Sequence, residues 1–246
     1  MISASLRGGL GNQLFIVCAA LAHAERTGQS AVFEHALSYG ERPAYWSSVF
    51  QRLTRVLLLP QLTRLAEDGF RYTKIEGRDV CLDGYFQSYL YFHDVFELVR
   101  PQLAFPHLVE NASTSVHFRR GDYKKWPALY PLLDVEYYRA ALQRINPESV
   151  LYFCEDADWE EVLPMVEALA FELCVPFARA DPSLSDVEQL GIMRGCRHHV
   201  IANSTYSWWG AYLDHRNNSK TCYPARWLGL NIDAQDLCPP HWIRVP

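Results

Sequence analysis

Ser115-Val116-His117-Phe118-Arg119-Arg120-Gly121-Asp122-Tyr123 is a short run of strand character that ends in two arginines, a glycine, an acid and an aromatic. Side chains alternate faces along a strand. His117 and Arg119 therefore share one face, and Phe118 and Arg120 the other. An imidazole and a guanidinium side by side at the carboxyl end of a strand suit a phosphorylated ligand, because a guanidinium is planar, always charged and meets phosphate oxygens two at a time. Arg120 and Asp122 are expected to pair and brace the turn, with Gly121 taking whatever backbone angle it needs. An exposed, ion-paired turn that binds nothing would use the same residues, since most arginines lie at surfaces. The stretch alone does not separate the two.

A second strand-and-loop unit opens the chain. Ile2 to Leu6 reads as a strand, and Arg7-Gly8-Gly9-Leu10-Gly11-Asn12-Gln13 follows it. The alanine-rich segment Leu14 to Thr27 then reads as a helix stopped by Gly28. Such a loop exposes backbone N–H groups at a helix start, where anions are favoured. Arg7, Gly9 and Gly11 are thus candidates for contact with a phosphate or a sugar. The third glycine of G-x-G-x-x-G is missing, so this is not the dinucleotide fingerprint. The plainer alternative is a turn that lets the helix pack on the strand.

The remaining pattern alternates. Strands are expected at Ser30 to Phe33 and Val80 to Phe86, and helices at Tyr45 to Leu59 (ended by Pro60) and Tyr89 to Val99. Pro101 and Pro106 punctuate a candidate interdomain linker over residues 100–114. After the arginine strand, Asp134 caps a helix through Ile145, Val150 to Cys154 is a strand and Asp158 to Ala170 a helix. Phe171 to Val175 reads as a strand, Ser185 to Arg197 as a helix and His198 to Ala202 as a strand. A helix from Trp208 to Leu213 and a strand from Lys220 to Tyr223 complete the series. Strands alternating with helices, with apolar strands covered on both faces, make an α/β protein with parallel sheets. Two domains are expected, 1–105 and 106–246. Ligands in such folds sit at the carboxyl ends of strands, and the glycine loop, Arg119, Asp156 and the Asn203 to Ser207 segment all fall there.

Asn203-Ser204-Thr205-Tyr206-Ser207 opens a helix with small hydroxyl side chains. Ser204, Thr205 and Ser207 can donate to phosphate oxygens, and the helix dipole adds a fraction of a charge. Plain N-capping by Asn203 or Ser204, worth about 1 kcal/mol, is compatible with that role. Trp208 and Trp209 read as packing residues ahead of ligand stacking. Glu155-Asp156-Ala157-Asp158 contains D-x-D, which metal-dependent sugar transferases of another architecture use to hold a divalent cation. The favoured alternative makes Asp158 a helix N-cap and Asp156 a ribose contact or a turn brace, because arginine is already available for the phosphates. His198 and His199 point to opposite faces of a strand and cannot chelate one metal together.

Composition bounds the rest. The chain has 246 residues, 49% of them hydrophobic and 21% charged, as in an ordinary globular protein. Its net charge of −5 disfavours a nucleic-acid partner. Seven scattered cysteines with no C-x-x-C pair read as buried thiols in a reducing compartment, so a cytoplasmic protein is expected. No signal peptide or 18-residue apolar run is evident, so no transmembrane segment is expected; peripheral membrane contact stays open. The three N-x-[ST] sequons at Asn111, Asn203 and Asn217 read as chance in that setting. No G-x-S-x-G, H-E-x-x-H or P-loop signature supports a hydrolase or an NTPase.

Three blocks carry a resemblance. Gly8-Gly9-Leu10-Gly11-Asn12-Gln13-Leu14-Phe15, Val116-His117-Phe118-Arg119-Arg120-Gly121-Asp122-Tyr123 and Asn203-Ser204-Thr205-Tyr206-Ser207-Trp208-Trp209-Gly210-Ala211 resemble the signature blocks of the α-1,2-fucosyltransferase family, glycosyltransferase family 11. Gly84-Tyr85-Phe86-Gln87-Ser88, Phe153 to Trp159 and Met193 to Ala202 are similar more loosely, so the resemblance spans nearly the whole chain in order. It implies a GT-B-type fold, two Rossmann-like domains facing a cleft, with residues 1–105 on the acceptor side and 106–246 binding the nucleotide sugar. It implies GDP-β-L-fucose as donor, an oligosaccharide or glycolipid acceptor, no metal or other cofactor, and inversion to an α-fucoside. It also implies that Arg119 holds the diphosphate, that His117 lies against the nucleotide, that Ser204 to Ser207 meet the phosphates, and that Asn12 lies near the donor sugar and acceptor. Arg119 and Asn12 are the catalytic candidates; Arg120, Asp122, Trp208 and Trp209 are supports. Many members carry Gln-Tyr where this chain has Ile16-Val17, and an acid where it has Gln189; Glu188 is the neighbour that would compensate there. The general base is left among Glu34, Asp83 and Asp156. The alternatives are an inactive sugar-nucleotide or glycan-binding protein of the same fold, a transferase using another GDP-hexose, and a D-x-D metal-dependent enzyme.

Overall fold

The computed structural model describes residues 1–40, 42–214, 216–229 and 235–246. The chain forms two compact units, one from Met1–Phe105 with residues 235–239, the other beginning at Pro106 and including Pro240–Pro246.

In the first unit β1 (Ile2–Ala4) leads into α1 (Leu10–Thr27). Short strands follow: β2 (Phe33–Glu34), β3 (Ser38–Tyr39), β4 (Arg42–Pro43), β5 (Arg55–Val56), β6 (Thr63–Ala66) and β7 (Val80–Asp83). The order β1-β7-β6 forms a parallel three-stranded sheet, β2 pairs in parallel with β5, and β3 and β4 make a hairpin. Two three-ten turns, Tyr89–Tyr91 and His93–Val95, run into α2 (Phe96–Val99). α1 is apolar nearly all round and correspondingly buried. It stops at Gly28, whose left-handed backbone (φ 60°) returns its N–H to Ala24 and Glu25.

The second unit holds β8 (Asn111–His117), α3 (Val135–Ile145), β9 (Val150–Phe153), α4 (Trp159–Leu173) and β10 (Phe177–Arg179). It continues through α5 (Asp186–Met193), β11 (Cys196–Val200), α6 (Thr205–Tyr212), β12 (Thr221–Pro224) and β13 (Ile243–Val245). Its six strands are all parallel, in the order β10-β9-β8-β11-β12-β13. Numbered along the chain, that is 3-2-1-4-5-6, the doubly wound order whose switch point lies between the first and fourth strands. The α/β class with mostly parallel sheets is what the alternating pattern implied, and the GT-B type is what the resemblance implied.

Asp134 accepts the Tyr137 N–H (3.1 Å) at the start of α3, and Tyr137, Tyr138, Ala141, Leu142 and Ile145 form its buried stripe. That stripe packs with Val116, Phe118, Val162, Leu169 and Val200 into one core cluster. A second buried network is polar. Ser115 Oγ lies 2.8 Å from His199 Nδ1, whose Nε2 lies 3.1 Å from Asp214 Oδ2, and Arg216 donates to Asp214. Ser, His and Asp follow one another as in a hydrolase, yet His199 is fully buried, so no substrate reaches it. The network instead ties β8 to β11 and to the segment after α6. Burial keeps His199 neutral by pushing its pKa down. Burial would raise the Asp214 carboxyl, but hydrogen bonds from His199 and Arg216 hold it well below the usual range.

The helix expected over Tyr89 to Val99 is two three-ten turns and the four-residue α2, and the helix expected over Ser185 to Arg197 stops at Met193, with Cys196 and Arg197 in β11. Three further expectations about elements fail. The expected helix over Tyr45 to Leu59 is a series of turns followed by β5. Trp46, Val49, Phe50 and Leu53 are buried at helical spacing, but Arg55 and Val56 are drawn into the ladder with β2, and Leu57 and Leu58 stand exposed. The expected strand over Phe171 to Val175 is the last turn of α4, closed by Cys174 in the left-handed region (φ 53°). A short apolar run has no decisive period; here Phe171 faces solvent and the strand starts at Phe177. α1 begins at Leu10 rather than Leu14, absorbing Gly11 to Gln13 of the glycine loop into its first turn.

Candidate functional site

The switch point of the six-stranded sheet lies where β8 ends at His117 and β11 ends at Val200. Arg119 stands two residues past β8. Its guanidinium is paired with Asp122 and with Glu155, and lies 5.1 Å from the centroid of the Tyr123 ring. The Tyr123 hydroxyl donates to the Asn203 carbonyl at 2.8 Å. Asn203 in turn donates from Nδ2 to the Pro131 and Trp227 carbonyls at 3.0 and 3.1 Å. One phenol thus ties the arginine turn to the segment that opens α6.

The turn is braced from below. The Gly121 N–H donates to Asp158 Oδ2 at 2.6 Å, and Lys124 Nζ lies 2.9 Å from Asp158 Oδ1. Asp158 is only 2% exposed. It stands at the N-cap of α4 but makes no capping bond; its carboxylate serves the neighbouring turn. The expected Arg120–Asp122 pair does not form. Arg120 pairs with Glu161 and donates to the Leu133 carbonyl (2.8 Å), while Asp122 pairs with Arg119, three residues before it. Strand parity stops governing direction once the strand ends, and the three-ten turn Gly121–Lys125 sets the partners instead.

His117 is 7% exposed, and its Nδ1 has no hydrogen-bond partner. Its ring lies 5.6 Å from that of Tyr206 in the first turn of α6. Burial, and then the charge of Arg119, push its pKa down to about 3. The imidazole is therefore neutral at physiological pH, with one buried nitrogen unmet.

α6 begins after Ser204, whose hydroxyl makes no capping bond. Ser207 is buried and donates to the Ser204 carbonyl at 3.3 Å, while Thr205 is partly exposed. Trp208 and Trp209 are fully buried; Trp208 stacks on Tyr212 at 4.5 Å and lies 5.5 Å from Trp242. Two acids named from sequence hold local partners. Glu188 closes a capping box, accepting from the Ser185 N–H and hydroxyl at 2.9 and 2.6 Å. Asp156 pairs with Arg179 at 2.5 Å.

The first unit gathers its own polar groups at the carboxyl edge of β1, β7 and β6. Arg7 pairs with Asp83 and lies 5.8 Å from the Tyr85 ring centroid, and Arg64 donates to the other Asp83 oxygen at 2.7 Å. Those arginines, Arg64 foremost, hold the Asp83 carboxyl below its usual range. Gly8 has a left-handed backbone (φ 72°), and a Cβ there would lie 2.5 Å from Asn12 Nδ2. Gly9 is the N-cap of α1, with open space where its side chain would be, and Gly11 is buried in the first turn. Gln13 locks this loop by donating to the Gly8 and Pro43 carbonyls at 2.8 and 2.9 Å. Asn12 accepts from Gln87 Nε2 at 3.0 Å.

Glu67, which sequence reasoning passed over, belongs to this edge. It follows β6 and accepts the Tyr85 N–H at 2.7 Å, with the Phe86 and Gln87 N–H groups also directed at it. Burial pushes its carboxyl above the ordinary value against those hydrogen bonds. No motif flags it: it is a lone glutamate after a four-residue strand of mixed polarity.

Among the described residues no three His, Cys, Asp or Glu side chains converge as metal ligands, and no helix is long and apolar enough to cross a membrane.

Comparison with known proteins agrees with the architecture. The solved structure of the α-1,6-fucosyltransferase NodZ co-crystallized with GDP superposes with a TM-score of 0.52, covering 86% of this chain and 91% of that one, at 12% identity. The O-antigen biosynthesis glycosyltransferase WbnK of Escherichia coli is 30% identical over 146 residues, 56% of this chain and 46% of WbnK. The alpha-1,2-colitosyltransferase of Escherichia coli is 28% identical over 54% of this chain and 47% of its own length. Galactoside alpha-(1,2)-fucosyltransferase 1 of Oryctolagus cuniculus is 24% identical over 84% of this chain and 62% of its own. The chain spans about half the length of the two bacterial relatives. The profile of the family described as glycosyl transferase family 11 matches residues 64–244, taking in β6, the arginine turn and the α6 segment. The chain belongs to glycosyl transferase family 11.

Proposed function

We propose that this chain transfers L-fucose from GDP-β-L-fucose to a galactoside hydroxyl, O2 by preference, with inversion at the anomeric carbon. The observation that carries the reading is that the Arg119 guanidinium and the buried His117, whose Nδ1 is unmet, stand together at the switch point of the sheet. Residues 106–246 supply the donor side and 1–105 the acceptor side. The leaving diphosphate gains charge as the glycosidic bond to it breaks, and fixed donors aimed at that charge lower the barrier. Arg119 is the fork that meets it, the hydroxyls and amides of Ser204, Thr205 and Ser207 support it, and Asn12 lies on the acceptor side with the Arg7 loop. Asp122 and Glu155 hold the guanidinium until a diphosphate takes their place. The reaction is read as metal-independent because Asp156 is paired with Arg179 and Asp158 with the Gly121 N–H and Lys124.

The names of the rabbit and colitosyl relatives both specify α-1,2 transfer, which supports the linkage. The colitosyl relative favours one second reading, a different GDP-hexose as donor. Incubation with GDP-β-L-fucose and lactose in excess EDTA tests the proposal. Acceptor-dependent GDP release is expected. No release refutes the fucosyl reading, and release only after a divalent cation is added refutes the metal-free one.

A further inference from the structure

We infer that Glu67 is the general base that takes the proton from the acceptor hydroxyl. The inference rests on the transferase reading above and adds the group that sequence left unassigned. Three features set Glu67 apart from the other acids. It stands immediately beyond β6, on the carboxyl edge that also carries Arg7 and Asp83, and it is partly exposed. The turn Gly84–Gln87 is shaped around it. A Cβ on Gly84 would lie 2.3 Å from Glu67 Cβ and 2.7 Å from Oε2, so only glycine admits the carboxylate so close. Phe86 is buried with φ of 51°, a conformation an aromatic residue adopts rarely and at a cost. That conformation helps direct consecutive N–H groups from Tyr85, Phe86 and Gln87 toward one acid. The same turn reaches the glycine loop through the Gln87–Asn12 bond.

The competing acids are occupied. Asp83 is held by two arginines, Asp156 by Arg179, and Glu34 lies exposed at the end of a two-residue strand. The charged and titratable side chains that act on Glu67 are Arg7 from the loop after β1 and Tyr91 from the Tyr89–Tyr91 turn, while Asp83 and Tyr85 meet it through their backbone groups. Burial outweighs Arg7 and the N–H groups and raises the carboxyl above its ordinary value, the direction a general base needs. In the step, the Glu67 carboxylate accepts the hydroxyl proton as the acceptor oxygen bonds to the anomeric carbon. The bond from that carbon to the β-phosphate oxygen breaks, GDP leaves with the electron pair, and the acid later returns its proton to water.

The test uses GDP-β-L-fucose and lactose with the full chain. Glu67→Gln is expected to lower kcat about 100-fold or more, leave both KM values within about three-fold, and abolish the acidic limb of the kcat–pH profile. GDP is expected to raise the melting temperature of this variant and of the wild type alike, the sign that the fold survives. Glu67→Asp, which keeps the charge but withdraws it by one methylene, should retain more activity than the glutamine variant and keep an acidic limb. Turnover of Glu67→Gln within about five-fold of wild type, or an unchanged acidic limb in it, overturns the base. If the glutamine variant fails to bind GDP, Glu67→Asp decides alone: wild-type kcat with an unshifted limb overturns the role. A wild-type protein without acceptor-dependent GDP release overturns the transferase reading itself, a result distinct from active variants beside an active wild type.

Discussion

Replacing Arg119 by lysine should separate catalysis from stability. The Arg119 side chain is 16% exposed, but its partners Asp122 and Glu155 are 45% and 48% exposed. Ion pairs that open to water contribute about 0–1 kcal/mol each, and the contact with the Tyr123 ring about 0.5–1 kcal/mol. A lysine keeps one charge near both acids, so the fold should lose about 1 kcal/mol, or roughly 2–4 °C in Tm for a chain of this size. Turnover should fall much further. The fork proposed to meet two oxygens of the leaving phosphate is gone, and loss of one such donor costs about 10²–10³ in kcat, or about 2.7–4 kcal/mol in the transition state. The paired assays are calorimetric melting and GDP release at saturating GDP-fucose with lactose. A lysine variant that melts near wild type but turns over about 100-fold more slowly supports the assignment. Turnover within about three-fold of wild type would refute it.

Asp158→Ala strips the Gly121 N–H of its buried acceptor and should cost about 1–3 kcal/mol of stability by denaturant melting, with activity falling further as the arginine turn loosens. Excess EDTA should leave the wild-type rate unchanged, read by the same GDP assay. Stability should decline as pH falls below about 6.5, because the unfolded chain protonates His117 there while the folded chain, with its value near 3, does not. The slope is about 1.4 kcal/mol per pH unit per such proton. His199 acts in the same direction, and the depressed Asp214 carboxyl adds to the loss in the acid range below ordinary carboxylate values. His117→Phe should flatten the upper part of that decline in a series of melts from pH 7 to 4. Gly210→Ala would bring a Cβ within 2.3 Å of Met193 Sδ and should lower stability by about 1–3 kcal/mol by prying α5 from α6.

Much of the architecture is written locally. Asp134 before an apolar stripe, Gly28 after an alanine-rich run and Ser185 three residues before Glu188 each mark a helix end by a hydrogen bond that the sequence itself supplies. The carboxyl-end rule then drew Arg119 and the Asn203 to Ser207 segment toward one edge, and the Tyr123–Asn203 bond joins them there. What failed depends on distant partners. Tyr45 to Leu59 has helical spacing, but pairing of Arg55–Val56 with β2 decides the outcome. The Phe171 run lacks the length that would fix a period. Asp122 found Arg119 instead of Arg120 because the strand ends at His117, so face parity no longer applied. Glu67 was invisible for a related reason: its distinction comes from a turn 18 residues away and from burial, neither of which leaves a local pattern.

The clasp of two acids on Arg119 bears on which solutes can take its guanidinium. Both acids already neutralise the guanidinium, so a sulfate or orthophosphate ion that approaches Arg119 has to displace them and gains little by doing so. Only a solute that brings further handholds, such as a nucleobase or a sugar, offsets that displacement. On the proposed reading the same acids reclaim the guanidinium as the nucleotide leaves, so product inhibition by GDP is expected to be shallow.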